Sequence, residues 1–393
     1  RRQRDTALQE QKQQLMQQGW LLAERGGLRG ITSPMPWWCP SPDGRGFLVA
    51  WSSHADPGEA QLALERHGPP WSAGPATTPW TIAPHIYGLE LSASGRYLAV
   101  AHAAGDWHAT VWDLSEKRLV ADVPQVRAVS SVGFLPDESA VYSVSSDGHT
   151  GRLVITPLDG TKARVFQLQH ANRAVVHPSG AWLVVTDSYQ RLFVVDLASG
   201  EVRLAGPVGG PSPWGSLGRL FTGRAGSAQS EGGAEGVFCL RFDPSGDCLC
   251  LGTMNGIRVL PWPEVRDADG TLPAPSLAVD VRGKTFAREG ARGQFGGYIY
   301  DLEHDAKLNR LLFAGLEGRV RYLDLDTGLS GSLLEVPALP PIQRLSLSRD
   351  GMTLGLTCFP DMFSHSRNKR GPVLQFWSYE TISSAQAPHG GAG

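Results

Sequence analysis

Nothing in this sequence approaches the run of about 20 apolar residues that spans a bilayer; its apolar stretches, such as Phe47 to Trp51 and Tyr97 to Ala101, are a few residues long. A membrane-spanning helix is therefore not expected. Charge of one sign is also lacking: 36 Lys and Arg against 38 Asp and Glu leave a formal net charge of −2. No whole-molecule field then draws the chain to nucleic acid or an anionic membrane, and any such attraction has to be local. Five cysteines, an odd number with no Cys-x-x-Cys spacing, do not make a secreted disulfide framework. Reduced thiols and a cytoplasmic location are the expectation. The start, Arg-Arg-Gln-Arg-Asp in place of Met and an apolar segment, reads as a fragment or processed chain without a signal peptide.

What is abundant is turn chemistry. The 47 glycines and 28 prolines, with 41% apolar and 19% charged residues, suit many short strands better than long amphipathic helices, which makes the class all-β. One unit recurs: an apolar strand, a turn, a second apolar strand, a short loop and a third strand. The turns read Ser41-Pro42-Asp43-Gly44, Ser92-Ala93-Ser94-Gly95, Leu135-Pro136-Asp137-Glu138, His177-Pro178-Ser179-Gly180, Asp243-Pro244-Ser245-Gly246 and Ser348-Arg349-Asp350-Gly351. Pro presets φ for a turn and Gly accepts positive φ. An aliphatic residue opens the strand behind each turn: Leu48, Leu98, Val141, Leu183, Leu249 and Leu354, with Leu311 behind a degenerate turn. These seven anchors recur at about the 40 to 45 residues of a four-stranded blade, the longer gaps being insertions.

Around these anchors stand further motifs. Asp106 precedes Val111-Trp112-Asp113, Glu317-Gly318 precedes Tyr322-Leu323-Asp324, Asn255-Gly256 precedes Ile257 to Leu260, and Phe193-Val194-Val195-Asp196 ends the same strand of the fourth unit. In these residues, over roughly positions 30 to 380, the chain resembles WD-repeat proteins, although only one blade carries the signature Trp-Asp. The resemblance implies a seven-bladed β-propeller of four-stranded antiparallel blades over residues 20–381. The family's Gly-His near the blade start is absent, so the His-Ser-Trp-Asp tetrad of regular blades is not expected. The last blade is one strand short, and residues between Trp20 and Ser33 are expected to supply it, leaving no sheet edge unpaired. Residues 1–19, with Leu8, Leu15 and Met16 on a helical spacing, read as a linker helix, and 382–393 as a disordered tail. The Arg-Gln-Arg-Asp start is similar to connectors in bacterial multidomain signalling ATPases and kinases, which implies a C-terminal sensor or interaction domain of a signalling or defence protein.

In a four-stranded blade the connections from second to third strand and from fourth strand to the next blade leave on one side. The long insertions 206–236, 283–297 and 359–372 all fall there. Insertions of this length are usually functional or disordered. The first contains Trp214, Leu217, Leu220 and Phe221; the other two carry Lys284, Arg288, Arg292, Arg367, Lys369 and Arg370 against Glu289 and Asp361. A solvated loop is the plainer reading and a patch for an acidic or phosphorylated segment the sharper one, Arg giving bidentate contacts to carboxylate or phosphate. Nucleic acid ranks lowest because no aromatic stacking platform interleaves the basic residues. Trp107, in a loop on the same side, joins the candidate partner-binding residues.

Signatures of catalysis are sparse. Gly283-Lys284-Thr285 resembles the end of a phosphate-binding loop, but Ala278 stands where its first Gly belongs. Ser145 to Thr150 superficially resembles an Asp-box with the wrong spacing, and no Gly-x-Ser-x-Gly elbow occurs. Asp301, Glu303, His304 and Asp305 cluster near the start of blade six, where alternation would aim the three acids to one side of a strand. A metal or acid-base site is conceivable there, but with no second ligand cluster the preferred reading is the polar end of an inner strand. Cys239 and Cys250 come out nearly opposite one another when counted back from their turn, and buried free thiols are the preferred state. Neither cofactor nor metal is expected. The sequence thus points to a non-catalytic interaction or sensor module whose partner is another protein or an upstream domain. The alternatives are a propeller enzyme with a channel-centred hydrolase or dehydrogenase site, or a purely structural scaffold.

Overall fold

The computed structural model describes residues 21–22, 37–41, 47–52, 60–65, 80–82, 86–102, 108–126, 129–146, 150–208, 236–281, 285–288, 291–294, 297–334, 341–358 and 373–379. Their strands form seven four-stranded antiparallel sheets and one separate hairpin. The fold is a seven-bladed β-propeller. The segments expected as an N-terminal helix and a disordered tail lie outside the described residues.

Two compact units divide the chain, residues 1–85 with 305–393 and residues 86–304. In the second unit, blade two is Ile86–Leu91, Tyr97–His102, His108–Asp113 and Arg118–Pro124. Blade three is Val129–Phe134, Ala140–Ser146, Gly151–Pro157 and Arg164–Gln167. Blade four is Ala171–Val176, Trp182–Asp187, Arg191–Asp196 and Val202–Pro207. Blade five is Val237–Phe242, Cys248–Thr253, Gly256–Pro261 and Leu277–Asp280. The first strands of blades two to five lie beside one another and are the inner strands. Each second strand is buried almost throughout, which explains its unbroken apolar sequence. Cores form between successive sheets: Ala99 and Val111 meet Val141 and Val154, Tyr142 and Leu153 meet Leu183 and Val185, and Val184 and Leu192 meet Leu249 and Leu251. Leu98, Val141, Leu183 and Leu249 are fully buried, and a leucine so placed contributes about 1.5–3 kcal/mol.

The first unit contains blade one, Trp37–Pro40, Phe47–Ser52, Ala60–Glu65 and Trp80–Ile82. It also holds Arg310–Gly315, Val320–Asp324 and Ser330–Leu334 of blade six, whose inner strand is Ile299–Asp305. Blade seven is Ile342–Leu347, Thr353–Cys358 and Val373–Ser378. Its fourth strand is Leu21–Leu22, with Leu21 opposite Phe376 and Leu22 opposite Gln375. The N-terminal segment therefore completes the last blade, within the stretch that the sequence marked. Leu48, Leu311 and Leu354 are buried here as their counterparts are in the second unit.

Five of the six turns read from the sequence fall among residues described in full, and they behave alike. The fourth residue returns a backbone bond to the first, as in Gly95 N–H to Ser92 O and Gly180 N–H to His177 O. It takes a positive φ, 78° at Gly95, 71° at Gly180, 82° at Gly246, 66° at Gly351 and 57° at Glu138. Glu138 lacks glycine's freedom, but its carboxylate accepts from the backbone N–H and the hydroxyl of Ser94 in the neighbouring blade. At the neighbouring bend on the same side of the blade, the Asp that ends the third strand caps the next turn. Asp113 accepts from the N–H groups of Ser115 and Glu116, Asp196 from Ala198 and Ser199, and Asp324 from Asp326 and Thr327. The Asp of the Trp-Asp pair is thus engaged by its own turn. In blade two Trp112 Nε1 donates to Thr110 Oγ1 at 3.1 Å, and Thr110 Oγ1 lies 2.8 Å from His102 Nε2.

These caps carry a pH signature. All three carboxyl groups sit below the ordinary Asp value, held down chiefly by the Ser115 hydroxyl at Asp113, the Ser199 N–H at Asp196 and the Thr327 N–H at Asp324. An unfolded Asp titrates near 3.9, so their stabilisation is complete above about pH 4 and is lost as pH falls towards the lower folded values. Urea midpoints are expected to drop below about pH 4, and replacing the three residues by Asn should flatten that profile.

Two elements depart from the sequence reading. The insertion 283–297 is not loop throughout: Thr285–Arg288 pairs with Ala291–Gln294. The connection after the third strand of blade five contains a short helix, Trp262–Asp267, which buries Trp262 and Val265 against the core between blades four and five. The two cysteines are not opposite partners. The turn after Phe242 pairs Cys239 with Gly252 and Cys250 with Arg241, and both thiols are free and buried.

Candidate interaction surface

The inner strands share a device that periodicity does not disclose. In blades two, three, four, five and seven the register slips at the same place, between Ile86 and Gly88, Val129 and Ser131, Ala171 and Arg173, Val237 and Cys239, and Ile342 and Arg344. Each slip is a β-bulge whose extra residue is the second of the strand: Tyr87, Ser130, Asn172, Phe238 and Gln343. Bulges twist a strand and re-aim a side chain. These stand at the end of each inner strand that receives the connection from the preceding blade, which in the second unit is the end where the insertion 206–236 enters blade five.

On that side of the second unit the bulge residue Phe238 meets aromatic neighbours. Its ring centroid lies 5.1 Å from Tyr298 and 5.6 Å from Tyr300, and the two tyrosines are 6.3 Å apart. All three rings are partly exposed. Beside them is the turn between the second and third strands of blade four. Asp187 accepts there from the N–H groups of Tyr189 and Arg191 and from Arg191 Nε, a turn closed by one buried carboxylate. The same turn lifts Tyr189 to 51% exposure, with His170 at its edge 4.5 Å away and the Arg191 guanidinium 5.5 Å from its ring centre. Gln190 joins the two clusters, its side-chain oxygen accepting from the Val237 N–H at 2.6 Å. A strip of His170, Tyr189, Phe238, Tyr298 and Tyr300 results, with Tyr and Arg of the kind that dominate binding hot spots.

Arg173 fixes the strip from below. It lies one residue past the bulge of blade four and reaches both neighbours, Nη1 donating to Ser130 O of blade three and Nε to Phe238 O of blade five at 3.3 Å. Both acceptors are carbonyls of bulge residues. Further along the inner strands Arg241 Nη1 lies 3.2 Å from Glu303 Oε1. Burial works against the Arg241 charge, but Glu303, Asp301 and Glu90 outweigh it and hold the guanidinium above its ordinary value.

The acid cluster of blade six is thereby divided among separate tasks. Glu303 pairs with Arg241, while Asp305 accepts from the Lys307 N–H and the Tyr379 hydroxyl. Among the described residues no group of three His, Cys, Asp or Glu could hold a metal. His304 occupies the place that Phe134, Phe242 and Leu347 take in other inner strands, and both its ring nitrogens are buried without a hydrogen bond among the described residues. Unsatisfied buried polar atoms cost about 1–3 kcal/mol each. The variant His304→Phe is therefore expected to melt higher than the parent; an unchanged or lower melting temperature counts against this account of the position.

Of the residues singled out from sequence, Trp107, Trp214, Lys284, Arg367, Lys369 and Arg370 lie outside the described residues. Arg288 and Arg292 fall in the hairpin, where the register pairs Arg288 with Ala291 and Ala287 with Arg292; the two arginines are not cross-strand partners. The aromatic strip was missed by sequence reasoning. Tyr298-x-Tyr300 directly after an insertion was the available signal.

Neither a family model nor a curated protein matches the chain. Solved structures do: the chain resembles the β-propeller domain of Cps50 (Swd1) from Myceliophteria thermophila, with a TM-score of 0.58 and 13% identity over 91% of this chain and 99% of that one. At this identity the likeness speaks for the fold alone. Among the described residues no helix is long and apolar enough to cross a membrane.

Proposed function

We propose that the chain is a non-catalytic interaction or sensor module that binds a partner through the insertion-bearing side of its propeller. The aromatic strip carries this reading. Five partly exposed rings gather there, Phe238 on a bulge and Tyr189 on a capped turn, so binding there needs little ordering of the protein. Trp107, Trp214, Lys284, Arg288, Arg292, Arg367, Lys369 and Arg370 extend the same side in this reading and favour an acidic or phosphorylated segment, from another protein or from an upstream domain. The setting we infer is a cytoplasmic signalling or defence protein of bacterial type.

The test is comparative. A partner captured by the full chain should be lost, by about a hundredfold in affinity, from the double variant Phe238→Ser and Tyr300→Ser, and kept by Val165→Ser on the outer strand of blade three. Equal retention by both variants would sink the proposal.

A further inference from the structure

The hairpin before blade six stands apart from the seven blades. Thr285–Arg288 and Ala291–Gln294 form a two-stranded sheet of their own, and among the described residues no third strand pairs with either edge. Two strands alone are marginal in water, and three or more are needed for an independent sheet. The closing pair, Arg288 with Ala291, has only Glu289 and Gly290 between its members. A pair flanking a two-residue connection is hydrogen-bonded, and pairs then alternate. Ala287 with Arg292, and Thr285 with Gln294, are accordingly the pairs whose N–H and C=O groups point outwards. Each edge of the hairpin thus presents a short ladder of main-chain donors and acceptors.

Charge selects the occupant. From 282 to 292 the sequence carries Arg282, Lys284, Arg288 and Arg292 against Glu289. Like charge discourages pairing with a second copy of the same hairpin and favours a strand of opposite sign. We propose that an extended, acidic segment of the partner adds to this hairpin as a third strand. Main-chain hydrogen bonds would supply affinity and the basic residues the choice of sequence. This inference rests on the partner-binding reading above and names the partner's conformation and charge.

The probe is a fluorescein-labelled peptide alternating glutamate and valine, titrated into the full chain at low salt. Ala287→Pro and Arg292→Pro each remove one outward N–H without touching the inner ladder, and Arg292→Gln controls for the lost charge. The expected result is binding of the acidic peptide that weakens at least about tenfold in one proline variant and not in Arg292→Gln. A peptide N-methylated at alternate residues, which leaves the protein untouched, should fail to bind, as should the lysine-valine counterpart. No binding of the acidic peptide, undiminished binding by both proline variants and the N-methylated peptide, or equal binding of the lysine-valine peptide overturns the proposal. A dimer of the chain that either proline variant dissolves would also overturn it, by making the occupant a second copy. If the Phe238 and Tyr300 double variant loses a partner that the proline variants retain, the insertion-side reading stands and only the hairpin's role falls.

Discussion

Gly256→Ala is expected to destabilise the chain by about 4 kcal/mol, near the upper end of single-residue effects. Gly256 opens the third strand of blade five with φ 140°, a conformation that residues bearing a Cβ rarely adopt. A Cβ placed there would lie 1.9 Å from Val279 O in the fourth strand of the same blade. The obstacle is backbone in a hydrogen-bonded ladder, where Gly256 faces Asp280, so relief requires the sheet itself to move. Gly160 provides the control. It has φ 82°, but nothing lies within 4 Å of an added Cβ, so Gly160→Ala should cost only the backbone strain, about 1 kcal/mol. Urea unfolding of the two variants separates conformational strain from collision, and equal losses would contradict the collision at Gly256.

Arg173→Met is expected to cost about 3 kcal/mol, since hydrogen bonds to a charged group contribute roughly 1.5–3 kcal/mol each and two are lost. The methionine preserves much of the side chain's bulk, leaving the Ser130 and Phe238 carbonyls without their shared donor. Arg173→Lys should recover only part of the loss, because an ammonium cannot reproduce a planar fork that reaches two strands at once. The partner readout should move with stability, as Phe238 is both an acceptor of Arg173 and a member of the strip. A stability loss below about 0.5 kcal/mol in Arg173→Met would show that the bulges hold themselves.

The architecture was legible wherever a local rule writes it into the sequence. Turns such as His177 to Gly180 declare themselves by a residue that fixes φ and one that accepts positive φ. The buried second strands follow as unbroken apolar runs from Leu98 or Leu183, and the missing strand of blade seven called for one near the N-terminus. The bulges were not legible. An extra residue such as Asn172 leaves no mark on composition, because its neighbours remain strand-formers whether or not the register slips. The strip was hidden for a different reason: Tyr189, Phe238 and Tyr300 come from three blades and only the fold brings them together. The hairpin was obscured by an insertion that looked like loop, and the acid cluster by alternation that grouped Glu303 with Asp305 although each serves a different neighbour.

Amide hydrogen exchange of the full chain with and without its captured partner tests the central claim most directly. The account predicts slowed exchange at the bulge end of the inner strands, around Asn172, Phe238 and Tyr300, and in the turn at Tyr189, with no change at the turns of Gly95, Gly180 and Gly246. Protection confined to those turns, or to the outer strands Arg118–Pro124 and Arg164–Gln167, would contradict it.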